Sequence, residues 1–299
     1  MTTTATATRT QIQLKNVLFA TDFSEAAAAA MPYAKSIARA FAAHLTVLYV
    51  RPPVVNPMTP PRTWASAEEA AKVREAWQRS ELAQQFAGFR ADILMPEGDV
   101  RAELPDILRQ KKIDLLVMGT HGRAGVRKFF LGSVAEEILR DVSCPVLTVG
   151  PNAARGFGAD GGPHRILYAT DFRCESQLAA GYAVSLAEEF QASLTLVHCL
   201  PAPGAGELVN ASQLETHYRR QLGNLVPAEA EAWCKVECIV KHGDPAKGIL
   251  EAAKERNVDL IVLGVRPDTG FPGASSHLPL PTAHKVVSQA ECPVLTIRH

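Results

Sequence analysis

The stretch GTHGRAGVRKFFLGS, residues 119–133, decides how this chain is read. It follows the apolar run IDLLVM and precedes the helical pattern VAEEILRDV, so it joins a strand to a helix. Glycine costs stability in both kinds of element, yet Gly119, Gly122 and Gly132 stand here, with Ser133 directly after the last. At Gly119 the chain leaves the strand, where glycine permits positive φ and close approach of backbone to a ligand; Gly122 continues that turn. Gly132 and Ser133 open the helix, whose unpaired N–H groups and positive dipole end favour an anion such as phosphate. Ser133 can cap the helix or donate its hydroxyl to a phosphate oxygen. Between them Arg123, Arg127 and Lys128 offer positive charge to a polyphosphate, and Phe129, Phe130 and Leu131 offer an apolar anchor for the loop. The run is neither a P-loop nor a G-x-G-x-x-G fingerprint.

Outward from this run, residues 17–20, 45–50, 115–118 and 146–149 are short, branched and apolar, as strands buried on both faces of a parallel sheet must be. A fifth strand is expected over 91–95. Amphipathic segments at 24–43, 67–88, 101–112 and 133–141 supply the helices; Ser24 suits an N-cap, and Pro32 is expected to kink the first helix. The result is a five-stranded, doubly wound α/β unit. In such sheets ligands bind at the carboxyl ends of the strands, where strand order reverses. Both ATDFS, after the first strand, and MGTHG, after the fourth, lie at such ends.

The unit is written twice. VLFATDFSE returns as ILYATDFRC, HLTVLYV as SLTLVHC, GDVRAELPDILRQKKIDLLVMG as GDPAKGILEAAKERNVDLIVLG, and SCPVLTV as ECPVLTI. Order and separation are kept, which divides the chain into domains at 1–150 and 164–299. The glycine-rich stretch between them reads as a flexible linker over 151–163. The second copy keeps Thr170, Asp171 and Gly264 but loses the glycine run: Pro267 takes the place of Gly122, and Leu280 and Pro281 stand where glycine and serine belong. Proline has no N–H to donate. One anion-binding site per chain is therefore expected, in the first domain.

Composition limits the alternatives. A chain of 299 residues with 47% apolar and 21% charged residues and a formal net charge of zero has no general attraction for nucleic acid or an anionic membrane. No apolar segment is long enough to span a bilayer, and the opening MTTTATATRTQIQ lacks the apolar core of a secretory signal, so a cytoplasmic location is expected. Six scattered cysteines read as buried reduced thiols. The histidines and cysteines of the second copy match no common zinc spacing, and His198 and Cys199 alternate across one strand, so no metal site is assigned. The proline-rich segment 51–64 reads as an extended loop that can also cover a pocket at Val50. Trp64 and Trp77 read as packing residues.

VLFATDFSE, LTVLYV, DLLVMGTHGRAGVRKFFLGSVAEEIL and CPVLTV together resemble the universal stress protein family, in its ATP-binding branch. The match covers nearly the whole chain as two tandem copies of an adenine nucleotide alpha hydrolase-like fold. Its most specific element is G-x2-G-x9-G-[ST], carried by Gly119, Gly122, Gly132 and Ser133. The resemblance implies a nucleotide with Asp22 at its adenine or ribose end and Ala20 and Thr21 shaping that pocket. Val50 would offer backbone to the base, Met118 and Gly119 would pass beside the ribose, and Gly122, Gly132, Ser133 and Val134 would face the phosphates beside Arg123. Asp22 also reads as an Asx-type turn residue that starts the following helix. ATP, with or without Mg²⁺, is the implied ligand, with AMP and cyclic AMP as alternatives. The resemblance further implies that CPVLTVG and CPVLTIR pair within the chain as an intramolecular pseudo-dimer. A further homodimer of tandem chains and contacts with other proteins stay open. No side chain stands out as a general base, so no ATPase is assigned, although slow hydrolysis is left open. A nucleotide-independent scaffold is the rival reading.

Overall fold

A computed structural model describes residues 12–53, 64–121, 131–153, 157, 161–202, 208–265 and 280–298. In the first repeat the elements run β1 (Asn16–Ala20), α1 (Glu25–Ala40), β2 (His44–Leu48), α2 (Trp64–Gln85), β3 (Ala91–Leu94), α3 (Val100–Gln110), β4 (Leu115–Gly119), α4 (Ser133–Asp141) and β5 (Val146–Val149). In the second they run β6 (Arg165–Ala169), α5 (Cys174–Glu189), β7 (Ser193–Leu200), α6 (Leu208–Gly223), β8 (Val236–His242), α7 (Pro245–Glu255), β9 (Leu260–Val265), α8 (Leu280–Gln289) and β10 (Val294–Arg298). Each repeat orders its strands 3-2-1-4-5, and the two sheets fuse into one of ten strands, β3-β2-β1-β4-β5-β10-β9-β6-β7-β8. Every pairing within a repeat is parallel; the join between β5 and β10 is antiparallel.

The apolar runs are continuous because each strand feeds two cores. Val17 and Phe19 of β1, with Leu115 and Val117 of β4, point to the face covered by α1, α2, α5 and α6. Leu18, Leu116 and Met118 point to the face covered by α3, α4, α7 and α8. At the seam Leu147 stands opposite Leu295, and both are buried. Two buried hydroxyls mirror one another across it: Thr148 Oγ1 donates to the Val294 carbonyl (3.1 Å) and Thr296 Oγ1 to the Val146 carbonyl (3.2 Å). The expected pseudo-dimer is thus a single continuous sheet, and each repeat's otherwise open edge at β5 or β10 is paired by the other.

Several details differ from the sequence expectation. Helix α1 runs on through Pro32. It ends at Ala40, not at residue 43, because Ala42 turns into the left-handed region (φ 49°) and the Ala43 amide reaches back to the Ala38 carbonyl (2.8 Å). Lys112, Gln191 and Asn257 repeat this device after α3, α5 and α7, each followed by an apolar residue whose amide bonds the turn behind it. The linker is anchored where it is described. Phe157 packs edge-on against Tyr33 of α1 (4.5 Å between ring centres) and lies 6.3 Å from Phe190 after α5, tying the two repeats together. Gly162 lies flat on that Phe190 ring, which a Cβ would strike at 2.1 Å. Cys234 and Cys292 are buried and Cys144 half-buried, and burial pushes the Cys144 and Cys292 thiols up to about 12. Trp77 is largely exposed, with its ring 6.4 Å from Phe23. The Trp64 side chain and residues 54–63 lie outside the described set, and with them the expected cover over Val50.

Candidate functional site

Strand order reverses in the first repeat at β1, which pairs with β2 on one side and β4 on the other. Beyond the carboxyl ends of these strands lies a cleft of about 360 Å³. The turn after β1 forms its first wall. Thr21 extends the ladder, its amide donating to the Leu48 carbonyl (2.9 Å). The Thr21 hydroxyl then accepts the Phe23 amide (3.1 Å), and Asp22 Oδ1 accepts the Ser24 amide (3.0 Å). These two bonds hold Phe23 at φ 61°, a left-handed conformation that a phenylalanine takes only under constraint. Ser24 then caps α1 by accepting the Ala27 amide (3.2 Å) and donates its hydroxyl to the His121 carbonyl (3.3 Å). The turn reading of Asp22 is therefore realised. Ala20, Thr21 and Asp22 all line the cleft.

The second wall comes from β4. Gly119 lines the cleft beside Met118, but its missing side chain serves the fold. A Cβ there would lie 2.6 Å from the Ala26 carbonyl carbon and 2.8 Å from its oxygen, so glycine lets α1 cross directly over the strand end. Its backbone is not left-handed. Helix packing is thus a reason for glycine here in its own right, beside the ligand approach expected of it. Thr120 is fully buried, and its amide donates to the Val149 carbonyl (3.0 Å). The Gly132 amide in turn donates to the Thr120 carbonyl (2.9 Å), which pins the start of α4 against residues 120–121.

Gly132 is the N-cap of α4, with φ −62° and ψ 146° and no side-chain hydrogen bond, and Ser133 is the first helical residue. Ser133 is therefore not the cap. A helix begun by glycine leaves its first N–H groups without a side-chain acceptor, which is the arrangement that welcomes an anion. Gly132, Ser133 and Val134 line the cleft, and Val50 faces it from beyond β2. Gly122 and Arg123, like Arg127, Lys128, Phe129 and Phe130, lie outside the described residues; Leu131, where description resumes, is buried. Leu48, Val100, Ala135 and Ile138 supply apolar lining that the motif did not single out. Thr120 and His121 line the cleft as well; a histidine between two glycines of the run was the signal available for it.

The universal stress protein family model matches this chain twice, at residues 13–150 and 163–298. The chain belongs to the universal stress protein family. Universal stress protein MJ0531 of Methanocaldococcus jannaschii is 32% identical over 139 residues, covering 45% of this chain and 81% of that one. Universal stress protein YxiE of Bacillus subtilis is 33% identical over 153 residues, covering 45% and 99%. A universal stress protein of Archaeoglobus fulgidus has the same fold end to end, with a TM-score of 0.69 at 22% identity over 96% of this chain and 99% of that one.

The second half of this tandem universal stress protein repeats the first turn closely. Phe172 again has φ 61°, with its amide on the Thr170 hydroxyl (2.9 Å) and the Arg173 amide on Asp171 Oδ1 (3.1 Å). Beyond the turn it diverges. Cys199 replaces Val50, and its sulfur packs so close to α7 that a Cβ on Gly248 would meet it at 2.8 Å. Helix α8 starts at Leu280 with Pro281 next. His198 and Cys199 do face opposite ways: His198 stacks on Tyr218 at 4.6 Å, whereas Cys199 faces α7. Among the described residues no group of three or more His, Cys, Asp or Glu side chains converges, and no helix is long and apolar enough to cross a membrane.

Proposed function

We propose that this universal stress protein binds ATP in the cleft of its first repeat and uses occupancy to alter its contacts with other proteins. The observation that carries the reading is the start of α4. An uncapped helix N-terminus opens into a cleft at the strand-order reversal, beside the turn that displays Asp22. Adenine and ribose would lie between the β1 turn and Val50 over the apolar lining, with phosphates toward Gly132, Ser133 and Val134. Arg123 adds positive charge on the same loop, and Mg²⁺ would accompany the polyphosphate. Ligand-dependent contacts follow from population shift, since a nucleotide favours whichever conformation has residues 119–133 formed around it. The second repeat serves as the structural half of the pseudo-dimer and binds no nucleotide.

Thermal and chemical unfolding with ATP, AMP and cyclic AMP tests the reading. A ligand selective for the folded state adds about 2.7 kcal/mol at a hundredfold excess over its dissociation constant. Gly132→Val, at a φ and ψ open to any residue, is expected to remove the ATP increment and, as a poorer N-cap, to cost the ligand-free protein only about 1 kcal/mol. Leu280→Ala is expected to leave the increment intact. Equal increments in wild type and Gly132→Val would refute the assignment. The ranking of the three nucleotides decides how much of the affinity comes from phosphates.

A further inference from the structure

The two repeats also differ at the other end of the sheet. At the amino ends of β9 and β10, between α7 and α8, lies a second pocket of about 300 Å³. Its floor is apolar and buried: Ala253 of α7, Val258 and Ile261 entering β9, and Ala290 and Cys292 between α8 and β10. In the duplicated phrases Ala253, Val258 and Ala290 match Leu108, Ile113 and Val142 of the first repeat. Those three larger side chains are buried in the core beneath α3 and α4. The second repeat therefore carries alanine for leucine on α7, valine for isoleucine before β9, and alanine for valine after α8. Core atoms removed without full collapse of their surroundings leave a hollow. This one opens to solvent between the exposed side chains of Glu251, Lys254 and Glu291.

The charges around the hollow decide what it can take. Four charged side chains line it, and each faces an opposite charge. Lys254 Nζ lies 3.4 Å from Glu291 Oε1, joining α7 to the segment after α8. Glu251 Oε1 lies 3.8 Å from Lys247 Nζ, and Asp259 Oδ1 lies 3.0 Å from Arg165 Nη2. The other Asp259 oxygen accepts the His164 and Arg165 amides (3.1 and 3.0 Å). On the floor, burial pushes the Cys292 thiol up to about 12, so it stays protonated and uncharged. A charged guest would exchange its hydration for an apolar floor and a rim whose charges are matched. An apolar guest instead removes its own surface and that of the floor from water. The volume, about 300 Å³, is at the lower end of the range that holds small molecules.

We propose that the second repeat binds a small, uncharged, largely apolar molecule in this pocket, at the end of the sheet away from the nucleotide cleft. The site stands or falls independently of the nucleotide reading. Titrations of the full chain with three probes of similar shape, benzyl alcohol, benzylamine and benzoate, test it, followed through the assigned methyl signals of Ala253 and Ala290. Benzyl alcohol is expected to shift both signals to saturation, and the two charged probes to bind at least about tenfold more weakly. The double variant Ala253→Leu, Ala290→Val installs the first repeat's residues and is expected to fold and to lose the binding. The wild-type spectra need no substitution, so they decide the matter even where the double variant fails to fold. Methyl signals indifferent to benzyl alcohol overturn the inference, as does a charged probe bound as tightly as the alcohol. A folded double variant that still binds benzyl alcohol overturns it as well.

Discussion

The first repeat enters α1 through Thr21, Asp22, Phe23 and Ser24, and the second enters α5 through Thr170, Asp171, Phe172 and Arg173, with the same left-handed phenylalanine and the same two side-chain bonds. The helix that follows the fourth strand is not shared in this way. Helix α4 starts at Gly132 and Ser133, whereas α8 starts at Leu280 and Pro281, and both helices form and pack. The contrast separates what the fold requires from what it does not. The Thr-Asp turn recurs where β1 and β6 hand over to α1 and α5, with or without the glycine run, so Asp22 by itself says little about a ligand. Gly119 likewise answers to Ala26. Among the described residues of the motif, the glycine and serine at the start of α4 are the ones that the second repeat does without while still building its helix.

The comparison presumes that the two repeats are halves of one body, and the largest predicted effect tests that premise. Leu147→Asp places a carboxylate opposite Leu295 at the buried seam, where nothing can pair with it. A loss of about 4 kcal/mol or more is expected, or failure to accumulate folded protein, measured by denaturant unfolding. Near wild-type stability would mean that the repeats fold independently of the seam. The next effect concerns the glycine assigned to packing. Gly119→Ala must push α1 from the end of β4, with an expected cost of about 1–3 kcal/mol in the absence of nucleotide. A variant as stable as wild type that had lost ATP binding would return Gly119 to the ligand.

Much of this architecture was legible in the sequence because burial on two faces leaves an unmistakable mark. Strand β5 and helix α4 coincide with the expected segments, and the duplicated phrases announced both sheets. Helix ends were not legible. Chain reversal at Ala42, Lys112, Gln191 and Asn257 uses ordinary residues in the left-handed region, and composition marks such a position only when glycine occupies it. The anchoring of the linker was hidden for a related reason. Its glycines read as freedom, whereas Gly162 is there so that the backbone can lie against Phe190. At the site, the motif led to the cleft by position, but it did not tell that Gly119 makes room for α1 or that Gly132, not Ser133, caps α4. His121 was passed over although it stands between two glycines of the run, because a lone histidine has no ligand spacing to recognise.

The smallest predicted effect sharpens the contrast at the helix starts. Ser24 caps α1 with its hydroxyl, whereas Arg173, at the same place in the second repeat, makes no side-chain cap. A serine cap contributes about 1 kcal/mol, so Arg173→Ser is expected to stabilise the protein by up to about that amount, and Ser24→Ala to destabilise it similarly. The exposed pairing of Arg173 with Asp171 at 3.5 Å offsets little of the gain. The two substitutions part company once nucleotide is added. Ser24 also holds the His121 carbonyl, which no cap function requires, so Ser24→Ala is expected to reduce the ATP increment as well as the ligand-free stability. Arg173→Ser touches the repeat proposed to bind no nucleotide and is expected to shift both curves equally. An undiminished ATP increment in Ser24→Ala would mean that the serine at the start of α1 is a cap and nothing more, as interchangeable between the repeats as the turn that precedes it.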